Sequence, residues 1–328
     1  MSRVTVLMAV FNGAQYLQKA VDSVLGQTLR DLQLICIDDA STDSTPSILA
    51  EYAAADKRVR IITHLANTGQ AAARNDGIRI ADGDYITMVD ADDWLSQNAL
   101  ELAVGRLDSD SRLGAVLFDL RYVRGNCTEL YPMKTGKRIW SGREAFELSL
   151  DWSVHGLYVA RAGLYRCYPF DTACRLYSDD NTTRLHYLHS EMVGCCDGIY
   201  YYRQHASSMT NTDSFLRYDL LEANSSMARM LRRENLPDKV LARFERERWI
   251  NLTGICIYWI EHDRRDSEGP VNEIIRARLE NVYNDVDRRL LPLFLKMKPG
   301  YMPLGSFKKY LSAVELYNKV RKMLNRFR

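Results

Sequence analysis

The first hundred residues keep a rhythm of apolar run followed by helical spacing, and few folds can accommodate it. Val4–Val10 is apolar, Ala14–Leu25 carries apolar residues at helical intervals, and Leu34–Ile37 is apolar until it stops at Asp38-Asp39. Val59–Ile62 predicts a strand, Gln70–Ile80 a helix, and Tyr85–Val89 a strand that stops at Asp90. These strands do not alternate apolar and polar residues, so both of their faces should be covered. The pattern predicts an α/β fold with a mostly parallel central sheet and helices on both faces. Sheets of this kind bind ligands beyond the carboxyl ends of their strands, where the acidic clusters of this chain fall.

Asp90-Ala91-Asp92-Asp93 places three carboxylates within four residues. They repel one another unless a cation sits among them, and Mg²⁺ or Mn²⁺ would take their oxygens and also bridge to phosphate. The plainer alternative is an exposed acidic turn that caps a helix starting near Ser96. In Asp38-Asp39-Ala40-Ser41-Thr42-Asp43, Ser41 or Thr42 together with Asp43 suits a helix start. Asp38 and Asp39 are then left to accept hydrogen bonds from a nucleobase or a ribose. The sequence has no GxxxxGK[ST] loop, and no GxGxxG follows a strand.

Lys and Arg number 44 against 42 Asp and Glu, so the net charge of +2 makes no global case for nucleic-acid binding. The balance is uneven along the chain: Lys296–Arg328 holds nine bases and one acid, Glu315, for +8, leaving −6 on the residues before it. Seven cysteines, odd in number and without a CxxC pair, predict reduced thiols in a cytoplasmic protein. Cys195-Cys196 near His189 fails the spacing of a structural zinc site. No secretory signal is expected, because Asn12 and Gly13 interrupt the first apolar run, and no run is long enough to predict a transmembrane helix.

Taken together, Val6-Leu7-Met8-Ala9-Val10-Phe11-Asn12, Gln27-Thr28, Ile37–Asp43, Asn67–Gly77 and Tyr85–Trp94 resemble the family 2 glycosyltransferases. Asp179-Asp180 and Tyr202-Arg203-Gln204-His205 extend the likeness, which covers about residues 3–210. The resemblance implies a GT-A fold and inverting transfer from a nucleotide-diphosphate sugar. It implies that Ala9, Phe11 and Asn12 lie beside the nucleotide, that Asp39 holds the uracil edge next to Asp38, and that Asn67, Gly69, Arg74 and Asn75 belong to the segment closing over the base. Asp90, Ala91 and Asp92 match the DxD motif, with Asp90 near ribose and sugar and Asp92 on Mn²⁺ or Mg²⁺; Asp93 is a helper. Arg203 and His205 match a segment near the diphosphate and the metal. Asp180 is implied as general base with Asp179 in support, while His155, Gly156, Tyr201 and Tyr202 would frame the acceptor. Two positions depart from the family pattern, Ala9 where Pro is frequent and Asp179 where Glu is usual.

The expected organisation is a GT-A nucleotide-sugar-binding and catalytic domain at 1–212, a helical region at 213–303, and a basic amphipathic helix at 304–328. In the middle region Phe215–Arg232, Pro237–Ile260 and Val271–Asn284 predict helices, with Gly269-Pro270 as a breaker. In the last, Phe307, Tyr310, Leu311, Val314, Tyr317, Leu324 and Phe327 form a stripe. Two readings of that stripe stand: docking through Phe307, Leu311 and Val314 with a solvated basic face, or an aromatic face entering an anionic membrane. The expected reaction moves a hexose or N-acetylhexosamine from a UDP-sugar to a saccharide or lipid-linked saccharide of a bacterial surface polysaccharide. It would take place in the cytoplasm or at the inner face of the cell membrane; a homo-oligomer is allowed and no nucleic-acid partner is expected. A non-catalytic carbohydrate-binding or scaffold protein, and a nucleotidyltransferase, are the alternatives.

Overall fold

The computed structural model describes residues 2–205, 215–263 and 270–325. The expected boundary at 212, residues 206–210 at the end of the family pattern, Gly269, Arg326 and Phe327 lie outside the described residues. The chain divides into two compact units, Met1–Asp213 and Ser214–Arg328.

Among the described residues the first unit is built on ten strands: β1 Val4–Val10, β2 Leu32–Asp38, β3 Val59–Thr63, β4 Tyr85–Met88, β5 Trp94–Leu95, β6 Leu113–Arg124, β7 Cys127–Leu130, β8 Ile139–Ser141, β9 Tyr158–Arg161 and β10 Met192–Arg203. Its helices are α1 Ala14–Leu25, α2 Thr45–Ala55, α3 Gln70–Ile80, α4 Ala99–Ser109, α5 Gly142–Ser149, α6 Ala162–Cys167 and α7 Ser178–Leu188. The strands form one mixed sheet in the order β3-β2-β1-β4-β9-β6-β10-β5, with β7 on β6 and β8 on β10.

Pairing is parallel through β3-β2-β1-β4. β9 then runs antiparallel to both β4 and β6, and β6 is parallel to β10. The two reversals cancel, so β1, β2, β4, β6 and β10 all end at the same edge. That edge is where the acidic clusters emerge.

The apolar strands are covered on both faces, as their composition requires. Val4, Val6, Met8 and Val10 of β1 share a cluster with Leu17, Val21 and Val24 of α1 and Leu100, Val104 and Leu107 of α4. Leu7 points the opposite way, as strand alternation dictates, and meets α3 at Gly77. A Cβ there would lie 2.8 Å from Leu7 Cδ2 and 3.1 Å from Ile37 Cδ1, so the absence of a side chain lets α3 lie close on the sheet.

Several boundaries differ from the sequence expectation. α2 begins at Thr45 rather than Ser41 or Thr42, because Asp43 is used outside the helix: its Oδ1 accepts from Thr45 N at 2.9 Å and its Oδ2 from Ala14 N at 3.1 Å. The helix expected near Ser96 starts at Ala99. The twelve-residue β10 carries a register shift between Cys195 and Ile199. α7 begins at Ser178, which puts Asp179 and Asp180 in its first turn.

The second unit is helical: a short 3₁₀ turn at Phe215–Tyr218, then α8 Asp219–Leu231, α9 Asp238–His262, α10 Pro270–Asp285, α11 Leu293–Met297 and α12 Phe307–Asn325. Trp249, Leu252, Cys256, Leu279, Tyr283, Tyr310 and Val314 lie in its core. Arg248 is fully buried but paired, donating to both Glu245 oxygens at 2.9 Å and to Asp285 at 2.7 Å. Phe307, Tyr310, Leu311 and Val314 dock α12 into this core, so the first half of the expected aromatic stripe is used internally. Among the described residues no helix is long and apolar enough to cross a membrane.

Candidate active site

The loops after β1, β2 and β3 are laced together by side chains. Asn12, in the left-handed region at φ 51°, donates its N–H to Ser41 Oγ at 2.9 Å, and its Oδ1 accepts from Thr42 N at 2.8 Å. Asp38 Oδ1 accepts from Ser41 N at 3.0 Å, and Asp39 N donates to the Val10 carbonyl. The Asp39 carboxylate is buried and organises the 64–69 loop. Its Oδ1 accepts from Thr68 N at 2.8 Å and Thr68 Oγ1 at 2.9 Å and pairs with His64 Nδ1 at 2.7 Å; its Oδ2 accepts from Gly69 N at 2.8 Å. Burial pushes this carboxyl up, but the donors from Thr68, His64 and Gly69 outweigh it and hold it below the usual range. Gly69 sits at φ +89°, a conformation that favours glycine. Asn67 Nδ2 donates to the Asp39 carbonyl at 3.3 Å, and Phe11 stands exposed beside this loop cluster at the tip of β1.

Beyond β4, Asp90, Asp92 and Asp93 bring carboxylate oxygens within 4.8 Å of one another. Asp90 Oδ1 accepts from Arg74 Nη2 at 2.5 Å and Gln70 Nε2 at 3.3 Å. Loss of hydration pushes the Asp90 carboxyl up against the pull of Arg74, with Asp92 and Asp179 adding to the rise. Asp179 of α7 is therefore electrostatically coupled to the loop after β4. Asp93 turns inward: its Oδ2 accepts from Tyr200 Oη at 2.9 Å and its Oδ1 from Arg203 N at 2.7 Å. Burial, then Asp90 and Asp92, push Asp93 well up. Ala91 lies against the β1 loop, its Cβ 3.5 Å from where a Cβ on Gly13 would be.

The end of β10 comes to the same place. Arg203 Nε donates to the Asp92 carbonyl at 2.8 Å, and His205 Nε2 lies 2.8 Å from Asp92 Oδ2. Arg203 is stacked over Tyr16 and Trp94, 4.5 and 4.8 Å from the ring centroids, and Lys19 Nζ is 3.2 Å from the Trp94 centroid. Partial burial and the Arg203 cation hold Lys19 below the usual lysine range. Three carboxylates, an imidazole and the Arg203 guanidinium thus gather at one sheet edge, with Lys19 on the other side of the Trp94 contact. Asp90, Asp92 and Asp93 form an oxygen donor set of the kind that suits a hard divalent cation, and His205 lies against Asp92 beside it.

Asp180, in the first turn of α7, pairs with Arg184 at 3.9 Å and keeps 17% of its side chain open to solvent. Burial raises its carboxyl to about 7, opposed by Arg184 and reinforced by Asp179. Arg74 is 1% exposed, and its Nε and Nη1 have no hydrogen-bond partner among the described residues.

Not every expected site residue joins this cluster. Asn75 commits both amide atoms to the backbone of Phe170, at 2.9 and 2.8 Å. His155 is a core residue: it is 4% exposed, its Nδ1 accepts from Leu157 N, and burial pushes its imidazole down to about 4. Gly156 lies against Thr183 of α7. Tyr201 stacks on Trp94 at 5.2 Å, while Tyr202 packs edge-on against Tyr122 at 5.8 Å. Sequence reasoning missed Tyr16, Lys19 and His64. His64 directly follows β3, so the strand-end rule applied to every strand would have found it; Tyr16 and Lys19 lie one turn apart inside α1 and reach this edge only through their packing with Arg203 and Trp94.

Comparison with known proteins agrees with this geometry. The model of glycosyl transferase family 2 matches residues 5–172. "Glycosyltransferase GlyG" of Streptococcus pneumoniae serotype 4 is 28% identical over 267 residues, covering 76% of this chain and 86% of that protein. Residues 1–349 of TarS from S. aureus, solved in complex with UDP-GlcNAc, superpose with a TM-score of 0.73 at 17% identity, covering 100% of this chain and 93% of that one. The mannosyltransferase PcManGT of Pyrobaculum calidifontis, solved with GDP-Man and Mn²⁺, gives 0.53 at 17% identity, covering 96% and 86%. At such identities the structural likeness speaks for the fold, and the family model, spanning half the chain, speaks for descent. With a GT-A-like mixed sheet whose converging strand ends present acids, the chain belongs to glycosyl transferase family 2.

Proposed function

We propose that this glycosyltransferase moves a hexose or N-acetylhexosamine from a UDP-sugar, with inversion, to a saccharide or lipid-linked saccharide acceptor in bacterial surface polysaccharide synthesis, and that Mn²⁺ or Mg²⁺ assists. The observation that carries the reading is the meeting of Asp39, Asp90, Asp92, Arg203 and His205 at one sheet edge, with the charge of Asp179 felt at Asp90. The UDP-GlcNAc in the TarS structure and the Mn²⁺ in the PcManGT structure support the choice of donor and ion.

In this reading Asp39 Oδ2, which accepts only Gly69 N–H among the described residues, has a lone pair left for the imide N–H of uracil. Exposed Phe11 offers a face to the base. Arg74 brings its two unpartnered nitrogens, Nε and Nη1, to the sugar or phosphate side of Asp90. Asp92 and His205, with Asp90, would hold the ion, which when bound supplies charge neutralisation for the diphosphate. Arg203 and Lys19 add fixed positive charge beside the same group.

The acceptor hydroxyl oxygen forms a bond to the anomeric carbon as the bond from that carbon to the diphosphate oxygen breaks. Asp180 takes the hydroxyl proton, and UDP leaves with the electron pair. A carboxyl lifted to about 7 is a competent base at neutral pH and a stronger one than an ordinary aspartate. Because Asp180 acts on the acceptor and not on the sugar, one displacement suffices and the anomeric configuration inverts.

Incubation with UDP-, GDP- and dTDP-sugars and Mn²⁺, scored for transfer and hydrolysis beside Asp92→Ala and Asp180→Asn, tests the reading. Turnover of a UDP-sugar that both substitutions abolish is the expected result. Turnover confined to GDP- or dTDP-sugars would reject the donor assignment.

A further inference from the structure

The terminal helix α12 has two apolar faces, and the core accounts for only one. Phe307, Tyr310, Leu311 and Val314 are buried in the second unit. Leu316, Val320, Met323 and Leu324 recur at i, i+4, i+7 and i+8 and are 46–64% exposed. At 3.6 residues per turn the centre of this second stripe lies about 140° round the helix from the buried one. α11 adds Leu293, Phe294 and Met297, each more than half exposed, while its Leu295 is buried. The chain leaving α11 returns to α12 at Tyr317: a Cβ on Gly300 would lie 2.5 Å from that ring, and the Tyr301 and Tyr317 centroids are 6.0 Å apart. The segment after α11 therefore packs on α12 at Tyr317. Four large apolar side chains left open along one face of a single helix are more than the scatter normal for a soluble surface.

Charge selects the occupant. α12 carries Lys308, Lys309, Lys319 and Lys322, α11 carries Lys296 with Lys298 directly after it, and Lys296–Arg328 sums to +8. Among the described residues, the acids in ion pairs with α12 are Glu315, bonded to Lys319, and Glu261, bonded to Lys322 with Arg321 near. A second copy docked through the same face would press two strongly basic regions together. A surface of anionic lipid headgroups attracts that charge and receives the apolar stripe. We propose that the exposed face of α12 is a docking surface for an anionic lipid bilayer, entered by Leu316, Val320, Met323 and Leu324. Apart from Leu324, this face is not the stripe that the sequence suggests, and the docking surface is independent of the donor site.

The test is co-sedimentation of the full chain with vesicles of phosphatidylcholine alone or mixed with phosphatidylglycerol. The full chain should pellet with the anionic vesicles at low salt and be released by high salt. A Leu316→Gln/Val320→Gln/Met323→Gln/Leu324→Gln variant, altered only at exposed positions, should bind them at least about tenfold more weakly with its melting curve and UDP binding unchanged. Lys308→Gln/Lys309→Gln should lower affinity and flatten the salt dependence. Failure of the full chain to pellet with anionic vesicles, or equal pelleting by the quadruple variant, overturns the proposal. So does a dimer in size-exclusion light scattering that the quadruple variant converts to monomer in the absence of vesicle binding, which would give the face to a second copy.

Discussion

Replacing Asp180 with asparagine should make the protein more stable and a far poorer catalyst, and the two effects have a common origin. The carboxyl ionises near 3.8 in the unfolded chain and near 7 in the folded one. Between those values the native state keeps a proton that the unfolded chain has released. The Asp180 contribution to stability is therefore fully favourable below about 4 and is lost as pH rises through about 7. A displacement from 3.8 to about 7 corresponds to roughly 4 kcal/mol at 1.36 kcal/mol per tenfold change. The 17% of the side chain still open to water makes this a ceiling. Asparagine keeps the shape and never ionises, so at pH 8 the variant should melt several degrees higher than the parent, and at pH 4 the two should coincide. Transfer should fall by roughly 10²–10⁴-fold, the usual worth of a general base, with UDP binding retained. In the parent, kcat/KM for transfer should rise tenfold per pH unit up to about 7 and then level. Melting curves from pH 4 to 8 and initial rates over the same range make the comparison. Equal melting temperatures at pH 8 would refute the energetic argument, and retained transfer would refute the role of Asp180.

Asp39→Ala removes the acceptor for Thr68 N, Thr68 Oγ1, Gly69 N and His64 together; at about 1.5–3 kcal/mol for a hydrogen bond to a charged group, calorimetry should record at least tenfold weaker UDP binding. Gly77→Ala drives a methyl to 2.8 Å from Leu7 Cδ2, and thermal unfolding should show a loss of about 1–3 kcal/mol with kcat of the folded enzyme preserved. Arg248→Ala strands the buried Glu245 carboxylate, while Asp285 keeps Arg232, and should cost about 3–5 kcal/mol in urea titration of the full chain.

Much of this was legible in the sequence because the physics involved is local. Apolar runs such as Val4–Val10 have to be buried whatever surrounds them, and acids such as Asp39 and Asp90 that directly follow such runs have to emerge at the strand ends. What was not legible depends on contacts across the chain. Nothing near Asp43 in sequence says that it will serve the N-terminus of α1, 29 residues away. The burial of His155 depends on Tyr131 and on the backbone carbonyl it gives to Tyr187. The reversal of direction through β9, which brings the end of β10 to the acids, is a matter of topology that no periodicity encodes. The stripe on α12 was visible, but which of its two apolar faces the core would take was decided by the helices packed against it.

The central claim is that these strand-end acids serve one nucleotide-sugar site. Crystals grown with UDP and Mn²⁺, measured at the manganese absorption edge, address it directly. The account requires a single anomalous peak at the carboxylate of Asp92 within reach of His205, with uracil density beside Asp39. Manganese elsewhere, or a uracil placed away from Asp39, would contradict it.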